Sequence, residues 1–262
     1  QAPISWPPGL TTPSTRGFPA AGSAQPHGVT ARQSAGPAGP ATTSYGYDAA
    51  GDTTSITGPS SAQSLSWNDA GQLTADTVTG AGAGAASYVY DAAGSLLMQS
   101  GPGSMTLYLP DEQVVYDTAT QATTATRFYS INGQPIAARS GGGPVTYLDA
   151  SQQGTATVAV DSQAMAGTYR YYDPYGNPLG TPPPAWPGTR GFAGGPADPA
   201  TGLTRLGARE YDPATGSFIS PDPLIDPGTP RDLNAYAYAL DDPASNSDPS
   251  GLMVPGQRTV ER

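Results

Sequence analysis

One unit recurs through the first half of this chain and restricts what it can fold into. It is an alternating run, then Asp or Asn, two short residues, Gly, and a second alternating run. The unit reads YGYDAAGDTTSITG at Tyr45–Gly58, LSWNDAGQLTAD at Leu65–Asp76 and YVYDAAGSLLMQSG at Tyr88–Gly101. Period-two alternation on both sides of a short polar break predicts strand, tight turn, strand. The Asp or Asn side chain can bond its own backbone in the turn, and Gly supplies the positive φ. The aligned aromatics Tyr47, Trp67 and Tyr90 follow each other at steps of 20 and 23 residues. Such a period marks a repeat architecture, in which each unit buries its face only against its neighbours.

Later copies are looser. TLYLPDEQVVYD at Thr106–Asp117 reads as two short strands. Tyr129 leads through Asn132-Gly133 into QPIAAR, and Tyr147-Leu-Asp149 leads into a longer turn ending at Gly154. Tyr172-Asp173-Pro174-Tyr175-Gly176 is a copy with proline in the turn. The tyrosines admit two readings, a platform for a ligand or an aromatic ladder stacked on one sheet face. The ladder is preferred because aromatics pair across strands.

Composition agrees with a turn-rich β protein. Gly (34) and Pro (29) interrupt every window long enough for a helix. Fifteen Tyr and three Trp with only 12% charged residues set the chain apart from disordered sequences, which are charge-rich and aromatic-poor. A net charge of -10 without any lysine argues against a nucleic-acid partner, which needs clustered cations. With no Cys, disulfides and thiolate metal sites are excluded. The single His27 lies in a Pro-rich stretch, so neither a His-based triad nor a His metal site is expected. No cofactor and no metal are expected, and no stretch is apolar enough to span a membrane. Residues 1–40 are read as a Pro/Gly-rich linker or irregular segment, with Ile4, Trp6, Leu10 and Phe18 able to dock on a neighbour. Because Gln1 is not a start residue, the chain is read as a piece of something longer.

The last third is the most specific. Asp-Pro occurs seven times, at Asp173, Asp198, Asp212, Asp222, Asp226, Asp242 and Asp248. Most such pairs start turns. Those at Asp222 and Asp248 stand inside the ordered series GFAGGPADPATGLTRLGAREYDPATGSFISPDP, LNAYAYALDDP and DPSGL, which stops at Leu252. Together with the YDxxG units, this series resembles the Rhs, or YD-repeat, family, over roughly Tyr45 to Leu252. That family includes bacterial polymorphic toxins, the C subunits of Tc toxin complexes and the teneurins.

The resemblance implies an all-β fold, a ribbon of YD-repeat hairpins forming part of a hollow shell closed by an Rhs core plug. It divides the chain into YD repeats at 41–180, a repeat-associated core at 181–252, and the start of a variable C-terminal toxin segment at 253–262. It also implies an aspartic autoprotease. The family's catalytic Arg falls on Arg209 and its two Asp residues on Asp222 and Asp248. Cleavage after the DPxGL leucine would cut Leu252–Met253. Glu210 stands where an aromatic is usual, which would put an acid beside Arg209. Leu224–Leu233 is slightly long for the link it makes.

Two neighbouring carboxylates cannot both ionise comfortably, so one can activate water while the other donates a proton. The implied partners are the chain's own C-terminal toxin segment, the remaining Rhs repeats of the full-length protein, and secretion machinery or a target-cell surface. The implied location is secreted or cell-surface associated, in a bacterium. The alternative is a non-cleaving structural or cell-surface interaction module, and a carbohydrate-binding β module is a third reading.

Overall fold

The computed structural model describes residues 14–20, 22–23, 25, 27–36, 39–224 and 233–252. Fifteen strands form one antiparallel sheet in which each pairs with the next in sequence. They are β1 (Ser14–Gly17), β2 (Ala31–Gly36), β3 (Gly39–Tyr47), β4 (Thr53–Thr57) and β5 (Ser61–Trp67). Next come β6 (Leu73–Gly80), β7 (Gly84–Tyr90), β8 (Leu96–Gly101), β9 (Ser104–Leu109) and β10 (Glu112–Asp117). The last five are β11 (Thr123–Ile131), β12 (Gln134–Ser140), β13 (Val145–Ala150), β14 (Ala156–Asp161) and β15 (Gly167–Tyr169). A two-stranded hairpin follows, β16 (Tyr171–Tyr172) with β17 (Pro178–Leu179). The three-stranded sheet β18 (Thr204–Leu206), β19 (Arg209–Asp212) and β20 (Ser217–Phe218) then forms the C-terminal module.

The repeat unit explains the large sheet. In the first three copies the pairing register shifts just before the aromatic, between Gly46 and Tyr47, Ser66 and Trp67, and Val89 and Tyr90. The Asx side chain then gathers the turn. Oδ1 of Asp48 accepts from the Ala50, Gly51 and Asp52 amides at 2.9–3.0 Å. Asn68 and Asp91 do the same for Ala70 and Gln72, and for Ala93 and Ser95. Each bulge adds local twist, and each Asx turn closes its hairpin.

The aromatics share one face but do not stack on one another as a ladder. Each reaches back to a carbonyl of earlier chain. Tyr47 donates to Val29 (2.8 Å), Trp67 to Thr53 (2.8 Å) and Tyr90 to Leu73 (2.7 Å). A ring with a polar tip can cover its neighbour and bond it at once, so these contacts tie successive repeats together.

Residues 1–40 differ from the irregular reading where they are described. Ser14–Gly17 and Ala31–Gly36 contain no proline, and they pair with each other and with β3, extending the sheet. Phe18 is half exposed, with the Arg16 guanidinium 6.0 Å from its ring, rather than docked. His27 is exposed. Ile4, Trp6 and Leu10 lie outside the described residues.

Laid flat at ~4.8 Å per strand, β1 to β14 would span ~60 Å. A module of the length of residues 188–252 is about 25 Å across. The module nonetheless touches both ends of the sheet. Arg16 of β1 donates to the Thr215 carbonyl (2.9 Å), and Gln153 before β14 donates to the Pro243 carbonyl. Between them, Gln63 donates to Thr201 (2.9 Å) and Tyr88 to Asp198 (2.7 Å), while Gln113 accepts from Thr189 (3.0 Å). The sheet therefore curls around the module, as sheets of this width must curl or split.

Two buried clusters hold the arrangement. Leu65, Leu73, Ala86 and Tyr88 of the sheet pack with Leu203 and Ile219 of the module. Inside the module, Phe192, Tyr211, Phe218 and Tyr238 pack ring to ring, with Tyr211 and Tyr238 centroids 4.7 Å apart. Each such ring, once buried, contributes about 1.5–3 kcal/mol.

Candidate active site

The hairpin from β19 to β20 is itself a copy of the repeat. Tyr211-Asp212-Pro213-Ala214-Thr215-Gly216 keeps the aromatic, the Asx turn and the Gly, with one residue more in the turn. Asp212 Oδ1 accepts from the Ala214 amide (2.8 Å), and the Tyr211 hydroxyl donates to the Tyr175 carbonyl (2.7 Å). Residues i and i+2 of a strand share a face, so Arg209 lies on the Tyr211 side. Its guanidinium carbon lies 3.7 Å from the centroid of the Phe218 ring, the cross-strand partner of Tyr211. Glu210 points to the other face, where it pairs with Arg205 at 3.2 Å. The acid expected beside Arg209 is therefore turned away from it by strand alternation.

All three nitrogens of the Arg209 guanidinium are engaged. Nη2 bonds Asp222 Oδ2 at 2.8 Å and lies 3.6 Å from Asp248 Oδ2. Nη1 donates to the Ala235 carbonyl (2.9 Å), and Nε donates to the Gly251 carbonyl. Arg209 is 3% exposed. Burial lowers its pKa to about 10, against the opposing pull of Asp222 and then Asp248, so it stays charged at neutral pH.

The two carboxylates arrive by different routes. Asp222 is fixed by its own amide on the Ala235 carbonyl (2.8 Å), and its Oδ1 accepts from the Leu224 amide (2.8 Å). Asp248 is buried at 3% exposure, and its Oδ1 accepts from the Ser250 hydroxyl (2.8 Å). The closing segment is held against the β18–β19 turn, where the Ala208 amide donates to the Ser250 carbonyl (2.9 Å). That approach needs two glycines. A Cβ on Gly207 (φ +50) would collide with the Ser250 backbone, and one on Gly251 (φ +66) with the Leu206 carbonyl.

Arg209, Asp222 and Asp248, distant in sequence, thus meet at one guanidinium. Leu252 follows the Gly251 carbonyl that Arg209 holds, and Met253 lies outside the described residues. Two cavities flank the group. One of about 670 Å³ separates the repeat turns at Asp48–Asp52 and Asn68–Gln72 from Arg209 and Asp222. The other, about 390 Å³, is lined by Ser250 and Leu252 and by Phe128 and Arg190 on the opposite wall.

The other Asp-Pro steps behave as turns where they are described. Asp173, Asp198 and Asp212 each accept from the amide two residues on. The Asp242 carbonyl accepts from the Asn246 amide, and Asp226 lies outside the described residues. Among the described residues, no group of three or more His, Cys, Asp and Glu side chains is placed to hold a metal ion.

Sequence reasoning missed the Gly251 carbonyl, the Phe218 ring and Ser250. It also missed a buried acidic seam, where Asp76, Asp198 and Glu210 meet beside Arg205, Tyr88 and Tyr90. Asp76 is fully buried, and neither carboxyl oxygen has a hydrogen-bond partner. Burial first, then Asp198 and Glu210, raises its pKa to about 7. The signal was present in the alternation of β6, where Asp76 takes the inward position two residues before Val78.

The fold agrees with known relatives. The family described as Teneurin YD-shell matches residues 37–244. The chain belongs to the teneurin YD-shell family. The tRNA3(Ser)-specific nuclease WapA of Bacillus spizizenii is 32% identical over 197 residues, covering 72% of this chain and 8% of that protein. The tRNA nuclease WapA of Bacillus subtilis is 38% identical over 99 residues, 36% of this chain and 4% of the relative. The chain thus spans less than a tenth of the length of these relatives. The crystal structure of TcdB2-TccC3 superposes with a TM-score of 0.67 at 21% identity, over 92% of this chain and 14% of that one. The shared fold is that of the YD shell. No helix among the described residues is long and apolar enough to cross a membrane.

Proposed function

We propose that this YD-shell chain encloses a C-terminal effector within its full-length protein and releases it by cutting its own backbone after Leu252. The observation that carries this reading is the single guanidinium of Arg209, which contacts both Asp222 and Asp248 and holds the carbonyl next to Leu252. Asp222 lines the larger cavity, from which water would reach it. In the reaction, Asp222 takes a proton from that water as its oxygen attacks the Leu252 carbonyl carbon. Asp248, beside the closing segment, supplies the proton that leaves with the Met253 nitrogen. The products are a carboxylate on Leu252 and an amine on Met253. Arg209 keeps the dyad and chain together, and an intramolecular substrate needs no separate binding groove. Each chain acts once.

The enclosed effector, the remaining repeats of the shell, and a secreted or cell-surface location follow from the same reading. WapA proteins that match this chain are nucleases by name, and their likeness here lies in the shell segment.

Intact mass spectrometry of the 262-residue chain tests the reading. The expected result is loss of residues 253–262, with neither Asp222→Asn nor Asp248→Asn losing them. A folded chain that keeps its full mass, indifferent to both substitutions, overturns it. That result would favour the second reading, a non-cleaving interaction surface. The feature favouring that alternative is the exposed set Tyr129, Tyr147, Tyr169 and Tyr171, 42–60% accessible.

A further inference from the structure

We propose that Ser250 is a positioning residue for the cut, aligning the Asp248 carboxyl and the Leu252 peptide with one hydroxyl. The inference rests on the self-cleavage reading. The Ser250 hydroxyl donates to Asp248 Oδ1 at 2.8 Å, and the same oxygen accepts from the Leu252 amide at 3.2 Å. The first bond fixes the rotation of the carboxyl, so that Oδ2 is the oxygen turned toward Arg209. The second holds the amide of the residue whose carbonyl is cut. One side chain therefore spans the acid and the amide of its substrate residue, beside the link that Arg209 makes through the Gly251 carbonyl.

The backbone around Ser250 is fixed independently. Its carbonyl accepts from Ala208, and the Gly251 carbonyl is held by Arg209. Ser250 itself is exposed, and its substitution removes no packing from the core. Losing the hydroxyl should thus leave the segment docked while freeing the carboxyl and the Leu252 amide to turn. Misalignment of reacting groups lowers rate without lowering stability.

The experiment follows release of residues 253–262 over time after cell-free synthesis of the full chain. Wild type, Ser250→Ala, Ser250→Thr and Asp222→Asn are compared, with thermal melts of each. Ser250→Ala should slow release about tenfold, the scale of one hydrogen bond, with an unchanged melt. Ser250→Thr keeps the hydroxyl and should restore the rate. Release from Ser250→Ala at the wild-type rate overturns the inference, while arrest by Asp222→Asn leaves self-cleavage standing. Arrest of Ser250→Ala as complete as that of Asp222→Asn also overturns it, since the hydroxyl would then be a catalytic group. Absence of release from wild type removes the self-cleavage reading, and this inference with it.

Discussion

The repeat occurs in two different surroundings, along the large sheet and in the centre of the module. Asp48 and Asp91 sit on turns at the rim, where backbone amides satisfy their carboxylates. Asp212 holds the same place in the motif but is buried. There it needs the Thr215 hydroxyl (3.0 Å) and the Tyr45 hydroxyl (3.4 Å) in addition to the Ala214 amide. Burial also raises its pKa, opposed by the hydrogen bonds from Ala214 and Thr215 and by Arg32. The same aromatic-Asx-Gly code, one residue longer in the module, therefore builds a hairpin in both places, and its surroundings decide what the hairpin is for. At the rim it joins one repeat to the next. In the module it sets a strand whose first residue, Arg209, gathers two distant carboxylates.

The difference between solvated and buried acids is widest at Asp76, whose carboxyl oxygens accept no hydrogen bond. Its pKa in the folded chain is about 7, against 3.8 for an ordinary Asp. Below pH 4 the group is protonated whether the chain is folded or not. As pH rises from there, the unfolded chain loses the proton while the folded one keeps it, so folding weakens until about pH 7. The loss levels off beyond that, at up to about 4 kcal/mol for this one group. Asp52, raised to about 6 by burial and Asp48, acts in the same direction. Urea denaturation between pH 4.5 and 7.5 should show stability falling as pH rises, and Asp76→Asn should flatten most of that slope. Stability that rises across this window would break the comparison, because it would mean the seam prefers the charged acids.

A smaller effect separates the two Asx turns. Asp212→Ala removes a buried acceptor and strands the Ala214 amide and the Thr215 hydroxyl, at a cost of about 3 kcal/mol. Asp91→Ala exposes its amides to water and should cost about 1 kcal/mol. Chemical denaturation of both variants measures the gap. Equal costs would show that burial adds nothing to the motif.

Much of this was legible because the repeat is local. Its strand alternation, turn acid and glycine lie within a few residues, so hairpins at Tyr45–Gly58, Leu65–Asp76 and Tyr88–Gly101 follow from the sequence itself. The meeting of Arg209, Asp222 and Asp248 was legible only through resemblance to a family, since spacing in the chain says nothing of which turns meet. The strands at Ser14–Gly17 and Ala31–Gly36 were hidden by surrounding prolines, which mask a short pairing segment when composition is averaged over forty residues. The Glu210 orientation followed from strand alternation that could have been applied to β19 once it was taken as a strand. The acidic seam was harder to see, because an inward Asp on an alternating strand gives no sign of which module covers it.

The smallest expected effect concerns the glycine that ends the turn in each copy. Gly71 at the rim has φ +69, and a Cβ there would meet nothing within 4 Å. Gly216, which ends the module's turn one residue further from its acid, has φ +67, but a Cβ would come within 2.6 Å of the Tyr175 ring. Gly71→Ala meets only the left-handed backbone penalty, about 1 kcal/mol. Gly216→Ala adds displacement of a ring whose carbonyl accepts the Tyr211 hydroxyl, for a total of about 2 kcal/mol. Because that bond sets the strand bearing Arg209, Gly216→Ala should also slow release of residues 253–262, whereas Gly71→Ala should not. Thermal melts and mass spectra of the two variants separate these outcomes. A Gly71→Ala chain that slows release as much as Gly216→Ala would mean that the rim turns, facing Asp222 across the larger cavity, share in placing the dyad.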